Sequence, residues 1–435
     1  MSTTRAQGIS LITATAVVVA NMIGTGVFTS LGFQVGGLPS GFAILMLWLV
    51  GGVCAFCGAV CYGELAAALP RSGGEYHFLS KIFHPSIGFL SGWLSVTVGF
   101  AAPIALAAMA FGKYFSSIFP SAPATTWSLV MVWVVTLIHV GGIHVAAKFQ
   151  NTATWLKVVL ILVFIGAGFW LGKGQPVHFT PVPGDFKLLG STPFAVSLVY
   201  VMYAYAGWNA ATYIVGEIRE PQKNVPRAIA LGTLLVSGLY LALNAVFLHV
   251  APMSELDGKL EVGHIAAEHI FGATGGKIMS GLICLGLVSS ISAMTWVGPR
   301  VMKTMGQDLR ILSPLAASDE RGVPVAALFV QLCIVVTLLL TASFETVLTC
   351  VQFSIQLGSF ATVVGLIVLR FKQPDLPRPY RCWGYPVTPL LFLGISAWMM
   401  VFVAKKHPHE TLAGMALILL GWIIYFISPR TPRTP

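Results

Sequence analysis

The sequence of 435 residues predicts an all-helical membrane protein with twelve transmembrane helices. Of its residues, 56% are hydrophobic and only 9% are charged, and the mean hydropathy is +0.83. Soluble domains carry about 25% charged residues, so lipid must replace water around most of this chain. Runs such as 101–111 and 158–169 are apolar on every side, which favours helices over the alternating strands of a membrane barrel.

Twelve runs with at most one charged residue each approach or exceed the length needed to cross the hydrocarbon core, which takes about 20 helical residues. They cover residues 8–34, 40–69, 86–112, 126–146, 153–172, 191–216, 228–251, 277–299, 323–342, 346–369, 387–404 and 410–428. We therefore expect a single transmembrane domain over residues 1–435. An even number of spans places both termini on the same side of the membrane.

The basic residues predict which side that is. Most of the 25 Lys and Arg residues fall in segments on the same side as the N-terminus, and basic loops remain in the cytoplasm. We therefore expect cytoplasmic termini. The lack of cysteines and Asn-x-Ser/Thr sequences in the predicted outer loops favours a bacterial inner (plasma) membrane. The net charge of +10 follows from the basic loops, which face anionic lipid, and does not predict nucleic-acid binding.

The seven cysteines predict neither a metal site nor a disulfide framework. Cys54, Cys57 and Cys61 recur at near-helical spacing in the second span, but no fourth ligand lies nearby in the sequence. We expect them to be small packing residues. The predicted outer loops contain no cysteine and no Asn-x-Ser/Thr sequence. We therefore expect no metal, no cofactor and no disulfide-linked partner subunit.

Two predicted spans carry glycine-bearing interruptions near their middle. The first span contains Gly-Thr-Gly at 24–26, and the sixth contains Tyr-Ala-Tyr-Ala-Gly-Trp-Asn at 203–209. Each glycine costs about 1 kcal/mol of helix propensity relative to alanine. Either interruption alone is also explained by small residues that let helices pack closely. Together they occupy corresponding positions in two five-helix halves, 8–172 and 191–369, and matched interruptions in inverted halves indicate a binding site at the bilayer midplane.

The exposed backbone at these interruptions predicts the kind of ligand. Unwound backbone in the bilayer must satisfy its polar groups with a ligand, an ion or water. The free N–H groups of Gly24, Thr25 and Gly26, at the positive end of a half-helix, suit a carboxylate. Carbonyl oxygens at the opposite half-helix ends suit an ammonium group. A small zwitterion satisfies both, so we expect an α-amino acid.

Five stretches resemble conserved segments of one transporter family. They are Ile-Gly-Thr-Gly-Val-Phe (23–28), Tyr-Gly-Glu-Leu (62–65), Pro-Arg-Ser-Gly-Gly-Glu-Tyr (70–76), the sixth-span stretch 203–209, and Gly-Glu-x-x-Glu-Pro-Gln-Lys-Asn-Val-Pro-Arg-Ala (216–228). At these residues the chain resembles the amino acid, polyamine and organocation superfamily, and within it the L-type amino acid transporters and their bacterial relatives. The resemblance implies a LeuT-like fold of five plus five inverted helices, with helices one and six discontinuous, and two further helices at 387–428.

The resemblance also implies roles for individual residues. The substrate carboxylate would meet N–H groups of helix one, and the substrate amino group would meet carbonyl oxygens at both breaks. Tyr203 stands where relatives have an aromatic gate over the substrate. The implied substrate-binding residues are Met22, Ile23, Gly24, Thr25, Gly26, Tyr203, Ala204, Ala206 and Gly207.

Lys157 lies well inside the fifth predicted span, where a charged lysine costs about 2.5–3.5 kcal/mol on insertion scales. Its side chain can extend to the cytoplasmic surface. The resemblance implies instead a fifth-helix lysine beside broken helix one, where sodium-driven members of the fold bind Na⁺. A fixed ammonium would replace that ion and favours Na⁺-independent transport, while proton coupling through Lys157 stays an alternative.

Two glutamates fall at the predicted cytoplasmic ends of spans, Glu64 in the second and Glu217 in the sixth. Three arginines lie near them in the sequence: Arg71, Arg219 and Arg227. Two interpretations stay open. The glutamates are either solvated interfacial charges or parts of an inner gate closed by ion pairs, with Glu217 as a gate residue.

We therefore expect Na⁺-independent transport of neutral L-amino acids by alternating access, as exchange or facilitated diffusion. The nearest alternative is a proton-coupled symporter of cationic amino acids or amines with the same fold. A membrane sensor that binds an amino acid without moving it is a remote alternative, because the short termini hold no signalling domain. We do not expect an enzyme, because no span carries a mid-membrane Ser/His pair, paired Asp residues or a set of metal ligands.

Overall fold

The computed structural model describes residues 9–141, 147–308, 310–320 and 322–427. The predicted cytoplasmic termini, 1–8 and 428–435, therefore lie outside the described residues. Regular structure in the described part is helical, apart from one isolated parallel bridge between Ile9 and Ile218. This agrees with the all-α class that the sequence predicts.

The described chain forms a series of α-helices joined by short loops. In chain order they are α1 (Leu11–Met22), α2 (Gly26–Thr29), α3 (Gly41–Ala68), α4 (Gly74–Ile82), α5 (Pro85–Leu94), α6 (Ala101–Ile118), α7 (Ala124–Val140), α8 (Ala147–Leu171), α9 (Asp185–Leu189), α10 (Thr192–Tyr205), α11 (Pro221–Val250), α12 (Met253–Leu256), α13 (Val262–Asp308), α14 (Val325–Thr341), α15 (Phe344–Lys372), α16 (Val387–Lys406) and α17 (Pro408–Ile427). A π-helical segment, Ser95–Phe100, joins α5 to α6. A bend at Gly272, with φ of 76°, divides α13 into a short helix and a long one.

The described residues include eight helical segments long and apolar enough to cross a membrane. Four more apolar helices are shorter, and they coincide with the fourth, fifth, sixth and ninth predicted spans. They are Ala124–Val140, Trp155–Leu171, Thr192–Tyr205 and Val325–Thr341. The sixth is short for a reason visible in its backbone, because the α-helix stops where the sequence predicts an interruption.

Helix one is broken at its predicted interruption. α1 begins at Ser10, whose side chain accepts a hydrogen bond from the Thr13 N–H, and ends at Met22. Ile23 then adopts extended geometry with ψ of 90°. Helical structure resumes only at Gly26, as α2 and a following 3₁₀ turn. The glycines weaken local helix propensity, so a break here carries a small local cost.

Helix six is also broken at its predicted interruption. α10 ends at Tyr205, and Ala206 turns to extended geometry with ψ of 146°. Gly207 has φ of 99°, a conformation that residues with a Cβ rarely adopt. The chain continues as two 3₁₀ segments, Ala210–Tyr213 and Val215–Glu217. The predicted span 191–216 is therefore α-helical only in its first part.

One end of the bundle is held by contacts between connecting segments. It is here called the basic end, because Arg71 and Arg219 lie in these segments. The Ile9 N–H donates to the Glu217 carbonyl at 2.8 Å, and the Arg219 N–H donates to the Ile9 carbonyl at 3.1 Å. The Gly216 N–H donates to Ser72 Oγ at 3.0 Å. These contacts bring the start of α1, the α3–α4 connection and the end of predicted span six to the same end.

The opposite end of the bundle is closed over helix one. The Tyr114 hydroxyl of α6 donates to the Phe28 carbonyl at 2.8 Å and accepts from the Gly263 N–H at 3.0 Å. The rings of Phe33 and Tyr200 stack with centroids 5.2 Å apart. α2, α6, α10 and α13 are therefore joined directly above the two breaks.

Candidate functional site

A cavity of about 2120 Å³ lies between the broken helices and extends to the basic end. Its wall runs from Thr25 and Gly207 at the breaks to Leu11 and Pro85 at the basic end. Pockets for small ligands are typically about 300–1,000 Å³, so this cavity is an open vestibule with room for more than one amino acid. The predicted substrate-binding residues that line it are Met22, Gly24, Thr25, Gly26, Tyr203, Ala204, Ala206 and Gly207.

The two breaks pack directly against each other. A Cβ on Gly26 would lie 2.5 Å from the Ala204 Cα, and a Cβ on Gly207 would lie 2.9 Å from the carbonyl carbon of Asn21. Both distances are shorter than real Cβ contacts, so only glycine lets the two backbones meet. Gly24 differs, because its nearest neighbour would be the Met22 carbonyl oxygen at 4.0 Å. Gly26 therefore permits the contact between the two backbones, whereas Gly24 does not take part in that contact.

The unwound segment of helix one exposes backbone donors, and two of its carbonyl oxygens already accept hydrogen bonds from side chains. Among the described residues, the N–H groups of Thr25 and Gly26 donate no backbone hydrogen bond. The Met22 carbonyl accepts from the Tyr240 hydroxyl at 2.6 Å. The Ile23 carbonyl accepts from Lys157 Nζ at 3.3 Å. Both of these helix-one carbonyls thus already have one protein donor, and the second lone pair of each remains.

The break in helix six exposes carbonyl oxygens. The Tyr203 carbonyl accepts from the Ala206 N–H at 3.0 Å. Within the described structure, the Ala204 carbonyl accepts no N–H from the residues that follow α10. Ala204 lines the cavity directly opposite Gly26. An acceptor on helix six and donors on helix one therefore lie side by side in the wall of the same cavity.

Lys157 is buried in α8, with 6% of its side chain exposed. Its Nζ donates to Ser290 Oγ at 2.8 Å and to the Ile23 carbonyl at 3.3 Å. A Cβ on Gly286 would lie 3.3 Å from the lysine stem, so glycine makes room for it. The side chain thus bridges unwound helix one and α13, and does not extend to the surface. Ile23 is 1% exposed and is not part of the cavity wall.

The two predicted inner-gate glutamates occupy different environments. Glu64 is 1% exposed, and Arg370 donates to it at 2.5 and 2.9 Å. Arg378 lies 3.2 Å from the same carboxylate. Its partners therefore come from α15 and the loop beyond, not from the arginines nearest in sequence. Glu217 is exposed and forms no ion pair with the described side chains; its carbonyl, not its carboxylate, holds the N-terminal segment.

Glu75 on α4 is a cavity residue that sequence reasoning did not single out. Its Oε1 accepts from the Tyr62 hydroxyl at 2.5 Å, Ser359 Oγ at 3.0 Å and Asn209 Nδ2 at 3.4 Å. α4 lies between spans, and burial raises the pKa of Glu75 above its ordinary 4.5, although hydrogen bonds from Tyr62, Ser359 and Ser91 oppose the shift. A glutamate within the Gly-Gly-Glu-Tyr stretch was the available signal.

α13 contributes two serines to the cavity wall. Ser290 binds Lys157, and Ser292 Oγ lies 3.0 Å from His139 Nε2. Both serines line the cavity. Within the described residues, no three His, Cys, Asp or Glu side chains form a group suited to a metal ion. Cys54, Cys57 and Cys61 are buried in α3, as expected of packing residues.

An apolar helical bundle with a cavity beside two adjoining helix breaks is the architecture of an integral membrane protein. The sequence model of the amino acid permease family matches residues 9–428, which is nearly the whole chain. The chain therefore belongs to the amino acid permease family. This family assignment confirms the superfamily that the motifs at 23–28 and 203–209 resemble.

Three relatives illustrate the similarity. The large neutral amino acids transporter small subunit 2 of Rattus norvegicus is 28% identical, covering 98% of this chain and 81% of the relative. The Asc-type amino acid transporter 1 of Mus musculus is 27% identical, covering 97% and 81%. The b(0,+)-type amino acid transporter 1 of Mus musculus is 25% identical, covering 98% and 88%. The chain is thus an amino acid transporter of the membrane and not an enzyme.

Proposed function

We propose that this protein transports neutral L-amino acids without Na⁺, by exchange or facilitated diffusion, through alternating access. The observation that carries the proposal is one cavity reached by both helix breaks, with unpaired N–H groups on one side and a free carbonyl on the other. The wall beside the breaks includes the apolar residues Pro103, Ala107 and Ile355. Such a wall suits an uncharged side chain.

In this proposal the zwitterion lies in the cavity beside the two breaks. The N–H groups of Thr25 and Gly26, with Gly24 beside them, bind the carboxylate at the positive end of the outer half-helix. The Ala204 carbonyl and the second lone pair of the Met22 carbonyl accept from the ammonium, whereas the predicted contact with Ile23 is not part of this arrangement, because Ile23 lies outside the cavity wall and its carbonyl binds Lys157. Tyr203, Ala206 and Gly207 complete the wall, and Tyr203 acts as the aromatic gate.

Lys157 holds unwound helix one in place of a sodium ion. Its contact with the Ile23 carbonyl supports this role, because a fixed ammonium supplies the positive charge that a bound Na⁺ would supply. Ser290 anchors the same ammonium to α13. The contact therefore ties the geometry of the break to a neighbouring helix without an ion gradient.

The proposed fold has twelve spans, with inverted repeats at 8–172 and 191–369 and two more helices at 387–428. We place it in a bacterial inner membrane with cytoplasmic termini, so the basic end faces the cytoplasm and the cavity is open inward. The Glu64–Arg370 pair and the Glu217 segment then belong to the inner gate, while Tyr114 holds the outer side closed.

We also propose that the chain works without a disulfide-linked partner. One relative is named a small subunit, but the predicted outer loops of this chain contain no cysteine. Non-reducing gel electrophoresis of the protein from its native membrane tests this point. A band that shifts on reduction would contradict it.

Flux measurements in proteoliposomes test the transport proposal. Uptake of labelled leucine should be equal in NaCl and choline chloride, and should rise when the liposomes contain unlabelled leucine. A proton gradient that drives accumulation without internal substrate would favour the proton-coupled symporter of cationic amino acids or amines. Binding without flux would indicate a sensor.

A further inference from the structure

One acidic side chain stands in the path between the proposed substrate site and the basic end. Among the described residues that line the cavity, Glu75 is the only Asp, Glu, Lys or Arg. It is 8% exposed. Its hydrogen-bond partner Asn209 lies two residues beyond Gly207, so the Cα atoms of Asn209 and Gly207 are within about 7 Å of each other. The carboxyl group is therefore close to the break in helix six.

The two oxygens of Glu75 have different surroundings. Oε1 receives three donors, one each from α3, the helix-six break and α15. The Ser91 hydroxyl, which also lines the cavity, donates to the carboxyl group as a fourth neutral donor. A Cβ on Gly358 would lie 3.4 Å from Oε2, and that Cβ would have no other neighbour within 4 Å. Gly358 also lines the cavity, so the glycine leaves open space beside Oε2.

No described cation pairs with this carboxyl group. The ion pairs of the described structure at this end use Glu64 and Glu220 instead. A carboxylate with one oxygen fixed and the other facing an aqueous vestibule attracts a mobile cation. A sodium ion requires several oxygen ligands, whereas an ammonium group needs one carboxylate oxygen and nearby water. Three of the four donors bind Oε1, so Oε2 keeps a lone pair, and this single remaining acceptor site favours an ammonium.

We infer that Glu75 is a second binding site for the substrate ammonium group, between the helix breaks and the basic end. Oε2 binds the ammonium after it leaves the carbonyls at the breaks, while Tyr62, Asn209 and Ser359 hold the carboxyl in position through Oε1. The inference rests on the proposed amino acid transport. It assigns to α4 a direct part in substrate release and entry at the vestibule.

The test uses n-butylammonium, which carries the ammonium but not the carboxylate of an amino acid. Its inhibition of leucine exchange is measured in proteoliposomes with the full-length chain, and its binding to the detergent-solubilised protein is measured by calorimetry. The uncharged analogue n-butanol is the ligand control. A charge-assisted hydrogen bond in a partly wet site corresponds to about a tenfold change in affinity.

Four variants separate ligand binding from structural support. Glu75→Gln removes the charge, and Gly358→Ala keeps the carboxyl but places a methyl beside Oε2; both should weaken n-butylammonium by about tenfold. Ser359→Ala removes one donor to Oε1 and should weaken n-butylammonium less than Glu75→Gln does, because Tyr62 and Asn209 still hold the carboxyl; Gly238→Ala, whose Cβ would have no neighbour within 4 Å, should leave the affinity within about twofold. If Glu75→Gln does not fold, Gly358→Ala carries the test, because alanine is favoured inside α15.

Each of the following outcomes would overturn a part of the proposal. Equal n-butylammonium affinity in wild type, Glu75→Gln and Gly358→Ala would overturn the site. Equal losses in Ser359→Ala and Glu75→Gln would assign the carboxyl a structural task only. Competition by NaCl that depends on Glu75 would assign the site to Na⁺. If wild type shows no leucine exchange, the transport proposal fails, while the calorimetric comparison still decides whether Glu75 binds an ammonium.

Discussion

Replacing Gly26 by alanine tests whether the two helix breaks must touch. The added Cβ would lie 2.5 Å from the Ala204 Cα, whereas carbon atoms prefer about 3.5–4.0 Å. The two backbones would have to separate by about 1 Å or more. Overpacking of this kind costs about 1–3 kcal/mol, which corresponds to roughly a 5- to 150-fold loss of the conformer in which the breaks meet.

The matched variant is Gly24→Ala in the same Gly-Thr-Gly stretch. Its Cβ would meet nothing closer than the Met22 carbonyl oxygen at 4.0 Å, so packing is preserved. Because Gly24 lines the cavity, its methyl takes space from the substrate and should raise the KM. Gly238→Ala, whose Cβ would have no neighbour within 4 Å, controls for the substitution itself.

Two assays distinguish these effects. Heat challenge followed by size-exclusion chromatography reports packing, and exchange kinetics in proteoliposomes report the KM and the maximal rate. Gly26→Ala should lose thermal stability and maximal rate, whereas Gly24→Ala should keep its stability and lose affinity. If Gly26→Ala matched Gly238→Ala in both assays, the contact between the breaks would not matter and the reasoning would be refuted.

Three further predictions concern single residues. Gly207→Ala should lower exchange more than Gly184→Ala, because both glycines have φ near 100° but only the Gly207 Cβ would clash with backbone; equal effects would assign the loss to backbone strain alone. Lys157→Ala should cut uptake roughly 5- to 150-fold at normal membrane expression, since it leaves the Ile23 carbonyl without this donor at a cost of about 1–3 kcal/mol, while exposed Lys173→Ala should transport normally. Burial raises the pKa of Glu75 above 4.5, so the wild-type chain should lose thermal stability as pH rises from about 4.5 through that raised pKa; a Glu75→Gln melting profile parallel to wild type would contradict this.

The positions of the breaks followed from local residue preferences. Gly-Thr-Gly at 24–26 and the glycine at 207 weaken the helix wherever they stand, so their effect is visible without a fold. The burial of Lys157 was open in the sequence, because a lysine stem reaches either a surface or a buried acceptor. Only the packing of α8 against α13 and helix one selects the Ile23 carbonyl.

The ion-pair partners of Glu64 were not predictable from neighbouring residues. Sequence proximity indicated Arg71, Arg219 and Arg227, whereas Arg370 and Arg378 bind it. Arg370 is separated from Glu64 by 306 residues. No local pattern encodes such a pair, because it depends on where two helices end relative to each other.

The sequence by itself determined that lipid surrounds most of the chain, that the chain is helical, where helices one and six break, and to which family the chain belongs. These features depend on hydropathy, backbone preference and short motifs, which are properties of short segments. Tertiary structure decided which glycine lets the backbones meet, which carbonyls are already occupied and which carboxyl faces the vestibule. Glu75 and Ser359, which share a hydrogen bond, are 284 residues apart. Contacts of that range arise only when the helices pack, since each is specified by the geometry of several elements together.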